Sequence, residues 1–159
     1  MFEKISAKLH SCAPEVCKPI IELAVEIARE GREGRRIGTL FTIGDAEQVL
    51  AHSRPLILDP IANHPADVRA ISNANLRGTL KELAQLDGAF VFDENGRVVA
   101  GCRYLDAKAS DIELPMGLGS RHLAAASITK VARAIAVVGF RKCDCPHIRE
   151  RSDGRRHYS

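Results

Sequence analysis

The chain has 159 residues and a net charge of +3, and 45% of its residues are hydrophobic, which suits a single folded domain with its own core. Aromatic residues make up 4% and tryptophan is absent, so the basic and aromatic surface that follows single-stranded nucleic acid is missing. No apolar run is long enough to cross a bilayer, and the first ten residues lack the apolar centre of a signal peptide. We therefore expect a cytoplasmic protein that binds neither nucleic acid nor membrane, and the five cysteines imply no disulfide framework.

The first half of the chain predicts one long helix and one buried strand. Apolar residues recur at helical spacing over 13–30, with Pro14 in the first turn, where proline is tolerated. The charged run 29–36 indicates a solvated helix end, with contact to phosphate groups as the alternative. Residues 37–43 predict a buried strand, 46–52 a short helix, and 55–60, which prolines bracket, an edge strand or extended loop. Residues 61–67 are typical of a loop.

The second half predicts a helix, a hairpin and a loop–helix–strand unit. Leucines over 73–85 have the spacing of a helix that buries one side. A strand over 88–92 is followed by a turn at 93–96, in which Asn95 and Gly96 supply positive φ values, and by a returning strand over 97–102. Residues 116–138 indicate a loop, a helix of small residues and a core strand. Together these elements predict an α/β fold with a mixed sheet flanked by helices.

The loop and helix start in 116–138 concentrate glycine, hydroxyl, guanidinium and imidazole groups: Gly117, Gly119, Ser120, Arg121 and His122. Unpaired amides and a positive macrodipole make a helix start, with a cation beside it, a site for phosphate. Nucleotide is therefore the first ligand class. The alternative is an ordinary glycine turn with surface side chains, because the pattern matches neither the P-loop nor the dinucleotide fingerprint.

Two short motifs sharpen this prediction: LDGAF at 86–90 and GLGSRH at 117–122. In this order they resemble the two signature motifs of the diadenylate cyclase domain, whose patterns are Asp-Gly-Ala and Gly-Thr-Arg-His-Arg. The likeness extends over roughly residues 20–138. It looks closest to the archaeal branch of the family, with EGREGRRIGTLFTIGD near its start.

The resemblance implies an enzyme that joins two ATP molecules into the second messenger cyclic di-AMP, with release of two pyrophosphates. One domain holds one ATP, so it also implies two domains face to face in a homodimer or larger assembly. A divalent cation, Mg²⁺ or Mn²⁺, is implied as the cofactor that offsets the triphosphate charge. The implied fold is a mixed, twisted sheet flanked by helices.

The same resemblance implies roles for individual residues. Asp87 would assist the attacking hydroxyl or hold the metal, Arg121 would hold phosphate, and His122 would contact phosphate or the metal. Asp87 has an alternative interpretation as a turn residue that ends a helix, because Asp-Gly is a common turn pair. Seven further residues are candidates for the nucleotide cradle and the adenine wall: Leu86, Gly88, Ala89, Gly101, Tyr104, Gly119 and Ser120.

The sequence departs from the family pattern in three places. Ser120 replaces threonine, which keeps the hydroxyl, and Leu123 replaces a second arginine, which removes one phosphate contact. From Gly139 the chain turns polar and basic, where a strand ending Val-Ser-Glu and further strands are expected. With one choice of codons, reading one base later over 139–150 restores that motif, so we hypothesise an out-of-frame tail. The alternatives are a disordered basic end and a zinc site, whose ligands would be Cys143, Cys145, His147 and His157.

We therefore divide the chain into a helical lead-in at 1–30, a nucleotide-binding domain at 31–138 and an atypical basic tail at 139–159. The predicted function is that of a diadenylate cyclase. One alternative is a catalytically impaired module that binds ATP or cyclic di-AMP without turnover. Another is an α/β interaction domain in which both motifs are coincidental.

Overall fold

The computed structural model describes residues 3–6, 12–106 and 112–140. Within these ranges the chain forms six strands and four helices, which alternate along most of the sequence. In chain order they are β1 (Glu3–Ser6), α1 (Pro14–Glu30), β2 (Thr39–Ile43), α2 (Ala46–Ala51), β3 (Ser53–Pro55), α3 (Ala74–Leu83), β4 (Ala89–Phe92), β5 (Val98–Leu105), α4 (Ser120–Val131) and β6 (Ile135–Gly139).

The strands form one mixed sheet in the order β1-β6-β2-β4-β5-β3. The central strands β2 and β4 run parallel, with Phe41 opposite Phe90, and the other neighbouring pairs are antiparallel. The three-residue strand β3 forms one edge and β1 the other. This architecture confirms the predicted α/β fold with a mixed sheet.

Helices cover both faces of the sheet, because its central strands are apolar on both sides. Along β4, Phe90 and Phe92 point into the core under α1 and α3, whereas Ala89 and Val91 point into the core under α2 and α4. Phe41 packs edge-on against Phe90 and Phe92, with ring centroids 5.6 and 5.5 Å apart. The smaller side chains on the second face let α4 lie close to the sheet.

Most predicted elements are confirmed within a few residues, and three details differ. Residues 55–60 were predicted as an edge strand or extended loop; the edge strand lies slightly earlier, at Ser53–Pro55, and 56–60 form a loop. In the β4–β5 turn only Gly96 has a positive φ, of 78°, and the Asp93 carboxylate accepts the N–H groups of Asn95 and Arg97. Asn95 therefore does not adopt the left-handed conformation that the Asn-Gly pair predicts.

Strand β1 is the third difference, since 1–30 were predicted as a helical lead-in. Residues 3–6 pair with β6 in antiparallel register, and α1 packs on the sheet, so both elements belong to this one fold. The atypical tail was predicted to begin at Gly139, which is the last residue of β6 and lies opposite Thr39, and Phe140 packs against His122. The rest of that tail, with the zinc site and most of the shifted frame, lies from residue 141 onward, outside the described residues. Cys12, Cys17 and Cys102 are free thiols. Among the described residues, no helix combines the length and apolar character needed to cross a membrane.

Candidate functional site

A cavity of about 280 Å³ lies on the α4 face of the sheet, between the start of α4 and the β3–β5 edge. Its floor comes from β2, β4 and β5, and both sequence motifs contribute to its walls. Its lining residues are Leu40, Leu56, Asp87, Gly88, Ala89, Arg103, Tyr104, Leu105, Ser120, Arg121 and Ala124. Six of the ten predicted site residues therefore meet here: Asp87, Gly88, Ala89, Tyr104, Ser120 and Arg121.

Asp87 and Arg121 form an ion pair in the wall of this cavity. Nη2 of Arg121 donates to Oδ1 of Asp87 at 3.3 Å, although the two residues are 34 positions apart in sequence. The Asp87 side chain is 88% exposed and that of Arg121 40%, so solvent screens the pair and it separates at little cost. Both groups are accessible to a ligand that enters the cavity.

The start of α4 favours an anionic ligand in this cavity. Ser120 is the first residue of the helix, and its N-cap Gly119 has no side chain with which to satisfy the first amides. Arg121 follows in the same turn, and its guanidinium lies against Gly38, where an added Cβ would be 3.2 Å from Nη1. A helix N-terminus and a guanidinium thus share one side of the cavity.

Gly88 is required by the close approach of β5. Its φ is 109°, and an added Cβ would lie 2.6 Å from the carbonyl carbon of Cys102 and 2.8 Å from the nitrogen of Arg103. Both contacts are with backbone, which cannot move aside as a flexible side chain would. The glycine of the first motif therefore lets the start of β4 lie directly against β5.

A bulge in β5 presents consecutive residues to the cavity. The β4–β5 register shifts between Ala89–Arg103 and Val91–Ala100, and Cys102 has a left-handed φ of 53°. The Asp59 carboxylate accepts the Gly101 N–H at 3.2 Å and also binds two amides of its own loop. Burial, with the Asp59 charge nearby, raises the pKa of the Cys102 thiol, so this group stays neutral.

Four predicted site residues do not line the cavity. Leu86 is exposed beside it, Gly119 precedes α4, and Gly101 faces Phe90 and Ile61. His122 is only 4% exposed, and its ring packs edge-on against Phe140 with centroids 4.8 Å apart. The first turn of α4 thus directs Arg121 toward the cavity and His122 into the interior.

Five lining residues were not predicted from the sequence: the charged Arg103 and the apolar Leu40, Leu56, Leu105 and Ala124. Arg103 is the notable omission because it is charged. It immediately follows the β5 bulge, and its hydrogen-bond partners lie 50 and 53 positions earlier in the chain. In the sequence around Arg103, Gly101 indicates a bulge, but nothing nearby indicates hydrogen bonds to Ser53 and Leu50.

Metal ligands are sparse around the cavity. In the described part of the chain, no group of three or more His, Cys, Asp or Glu side chains could hold a metal ion. Asp87 is the carboxylate among the lining residues. One or two carboxylates suffice for Mg²⁺ when phosphate oxygens and water complete its shell, so Asp87 fits a cation that binds with a phosphate ligand.

The fold is that of an α/β domain with a mixed sheet between two helical layers. An arginine, a carboxylate and a helix N-terminus surround one cavity, and this arrangement is typical of a domain that binds an anionic ligand. Comparison with known protein families makes this class specific. Residues 26–139 match the family described as DisA bacterial checkpoint controller nucleotide-binding, and the chain belongs to that family.

Two curated relatives carry the name diadenylate cyclase. The protein from Methanocaldococcus jannaschii is 52% identical over 137 residues, which cover 86% of this chain and 42% of that relative. The protein from Haloferax volcanii is 38% identical over 125 residues, which cover 79% of this chain and 45% of that relative. The chain thus spans less than half the length of either relative. The family resemblance read from the two motifs is confirmed.

Proposed function

We propose that this chain is a diadenylate cyclase domain, which condenses two ATP molecules into cyclic di-AMP and two pyrophosphates. The observation that carries the proposal is the meeting of Asp87 and Arg121, one from each motif, in the wall of a single cavity. Family membership and two relatives named diadenylate cyclase support it.

The reaction needs a group that handles a hydroxyl proton and groups that neutralise phosphate charge. The 3′-oxygen of one ATP attacks the α-phosphorus of the other, a P–O bond forms, and the bond to pyrophosphate breaks. Asp87 would orient the hydroxyl and accept its proton, as a carboxylate within hydrogen-bond reach can do. Arg121 and the first amides of α4 would stabilise charge on the phosphate.

The Asp87–Arg121 pair suggests how the cavity is kept ready for substrate. While they are paired, each group partly neutralises the other. An incoming phosphate would draw Arg121 away, because a guanidinium forms stronger, bidentate contacts with phosphate. That movement would release the Asp87 carboxylate for the hydroxyl or for a cation, so substrate binding itself would assemble the reactive arrangement.

A divalent cation, Mg²⁺ or Mn²⁺, would offset charge on the triphosphate and on the leaving pyrophosphate. Asp87 would hold it together with phosphate oxygens and water. His122, the other predicted ligand, packs against Phe140, and its contact with a metal or phosphate would require that ring to move. The proposal does not depend on His122.

Two copies of the chain are needed because each reacting ATP is both nucleophile and target. One chain provides one cavity with one Asp87–Arg121 pair in its described part. Two such cavities facing one another would place each 3′-hydroxyl near the opposite α-phosphate, so the active species would be a homodimer or a larger assembly.

The test is to incubate the chain with ATP and Mn²⁺ or Mg²⁺ and to separate the products by chromatography. We expect cyclic di-AMP, and a loss of about 100-fold or more for Asp87→Asn, because the amide cannot accept the proton. Asp67→Asn is the matched control, since Asp67 is exposed and does not line the cavity.

Absence of product at high protein concentration would overturn the cyclase proposal. Calorimetry on the same sample would then decide between the alternatives. Binding of ATP or cyclic di-AMP without turnover would favour a nucleotide-binding module, and absence of all nucleotide binding would favour an interaction domain.

A further inference from the structure

The charges that line the cavity do not balance. Three charged side chains line it: Asp87, Arg103 and Arg121. Arg121 is paired with Asp87, which leaves the positive charge of Arg103. In the described part of the chain, no carboxylate lies within ion-pair distance of Arg103. A partly buried guanidinium without a counter-charge in a ligand cavity favours an anionic ligand.

Arg103 is held in place by three acceptors, all of them neutral. Its Nε donates to Ser53 Oγ at 3.1 Å, and its Nη2 donates to the carbonyls of Ser53 at 3.0 Å and Leu50 at 3.3 Å. Leu50 lies in the last turn of α2, where carbonyls lack helical partners. These bonds fix the side chain without neutralising its charge.

The remaining guanidinium nitrogen of Arg103 is available for a ligand. Within the described residues, Nη1 makes no hydrogen bond, whereas Nε and Nη2 are both engaged. A fixed guanidinium loses little side-chain entropy when its free edge binds a phosphate oxygen. The geometry of Arg103 is therefore that of an anion-binding group prepared in advance.

The bulge in the β5 backbone also positions Arg103 in the cavity. The β5 bulge sets Arg103 opposite Ala89, which itself lines the cavity, and Asp59 holds the bulge through the Gly101 amide. Arg103 thus reaches the cavity from the sheet, whereas Arg121 reaches it from α4. One cation therefore comes from the floor of the cavity and the other from its wall.

We propose that Arg103 is a second phosphate-binding residue of the cavity, in addition to Arg121. The proposal deepens the proposed function, on which its choice of a nucleotide as the ligand rests. Arg121 is the mobile cation, which exchanges Asp87 for phosphate, and Arg103 is the fixed one. Together they hold the phosphate groups of one nucleotide from two sides.

The test compares ATP with adenosine, which differ only in the phosphates. Calorimetry measures the dissociation constants of both ligands for the wild-type chain and for Arg103→Ala. We expect the variant to weaken ATP binding by about tenfold or more, and adenosine binding by less than about twofold, because a charge-assisted hydrogen bond is lost only with ATP. Arg103→Lys should recover part of the ATP affinity, since it keeps the charge.

Arg133→Ala is the matched control for net charge, because Arg133 is exposed and does not line the cavity. Arg103→Gln keeps most of the stem and an amide donor, and it replaces the alanine variant if that variant does not fold. An ATP affinity that falls no further than in Arg133→Ala would overturn the proposal. An equal loss for ATP and adenosine would also overturn it, because it would assign Arg103 to wall structure alone.

Product formation measured in the same samples separates this inference from the proposed function. ATP binding without cyclic di-AMP would overturn the cyclase proposal, while an ATP-selective loss in Arg103→Ala would still support the role of Arg103. Formation of cyclic di-AMP, together with a ratio of ATP to adenosine affinity that Arg103→Ala leaves unchanged, would support the cyclase proposal and overturn the role of Arg103. A wild-type chain that does not bind ATP would overturn both.

Discussion

Gly88 shows how a motif residue can serve the fold as directly as the site. Alanine at this position must adopt a φ of 109° and place its Cβ 2.6 Å from the β5 backbone. We expect Gly88→Ala to lower the free energy of unfolding by about 2–4 kcal/mol, because strain and overpacking add. Denaturant unfolding followed by circular dichroism measures the change.

Gly78→Ala is the matched control for Gly88→Ala. Gly78 lies on the exposed face of α3, and an added Cβ there meets nothing within 4 Å. Alanine favours the helix over glycine, so this variant should gain about 0.5–1 kcal/mol of stability. Equal effects of the two substitutions would contradict the close β4–β5 approach.

At the scale of elements, α1 and α3 are joined by ion pairs across their exposed edges. Glu26 of α1 accepts from Arg77 at 3.0 Å and from Lys81 at 3.1 Å, and Lys81 also reaches Glu30. Arg32, just after α1, pairs with Glu82. The charged run after α1 was predicted to be solvated, and the structure gives one of its arginines a partner on α3.

Glu26→Gln should reveal this link through its pH dependence. The hydrogen bond from Lys81, with Arg77 nearby, holds the pKa of Glu26 below its ordinary value of 4.5. The stabilisation is therefore fully present above about pH 4.5 and is lost as the pH falls through the lowered pKa. We expect the variant to lose about 0.5 kcal/mol at neutral pH, because the pair is partly exposed, and nothing at low pH.

Urea unfolding at several pH values measures this difference, and added salt should reduce it. Glu22→Gln is the control, since Glu22 lies one turn earlier on α1, is exposed, and has no ion pair among the described residues. A loss that persists below the folded pKa of Glu26 would assign the effect to packing instead of charge.

At the scale of the whole molecule, what could be predicted depends on how locally each feature is encoded. Helical periodicity in α1 and α3, and the apolar runs of β2, β4 and β6, specify their own structure, so the layered sheet followed from them. Strand β1 is short and polar in sequence, and its pairing with β6 is a long-range property. Local pattern could not indicate it.

Some residues of the site could likewise be predicted from local sequence, and others depend on long-range contacts. The two motifs predicted Asp87 and Arg121, and the cavity brings them together because α4 packs on the face of the sheet to which Ala89 and Val91 of β4 point. Arg103 could not be predicted, because its position depends on the carbonyls of Leu50 in α2 and Ser53 in β3, which lie far away in sequence. His122 follows Arg121 directly, and the turn of the helix sends it inward toward Phe140.

The cavity as a whole exists only in the folded chain, because its walls combine residues from Leu40 to Ala124. A nucleotide that binds it should therefore bind the native state and not the unfolded one, and must raise thermal stability. ATP at about 100 times its dissociation constant should add about 2.7 kcal/mol, which corresponds to a rise of roughly 5–10 °C in Tm for a chain of this size. Scanning calorimetry at increasing ATP concentration measures the shift, with adenosine as the comparison ligand.

Arg121→Ala should reduce the ATP shift more than the adenosine shift, because it removes a phosphate contact and leaves the apolar walls intact. A Tm that does not move at millimolar ATP would mean that the two motifs meet in a cavity that nucleotide does not enter.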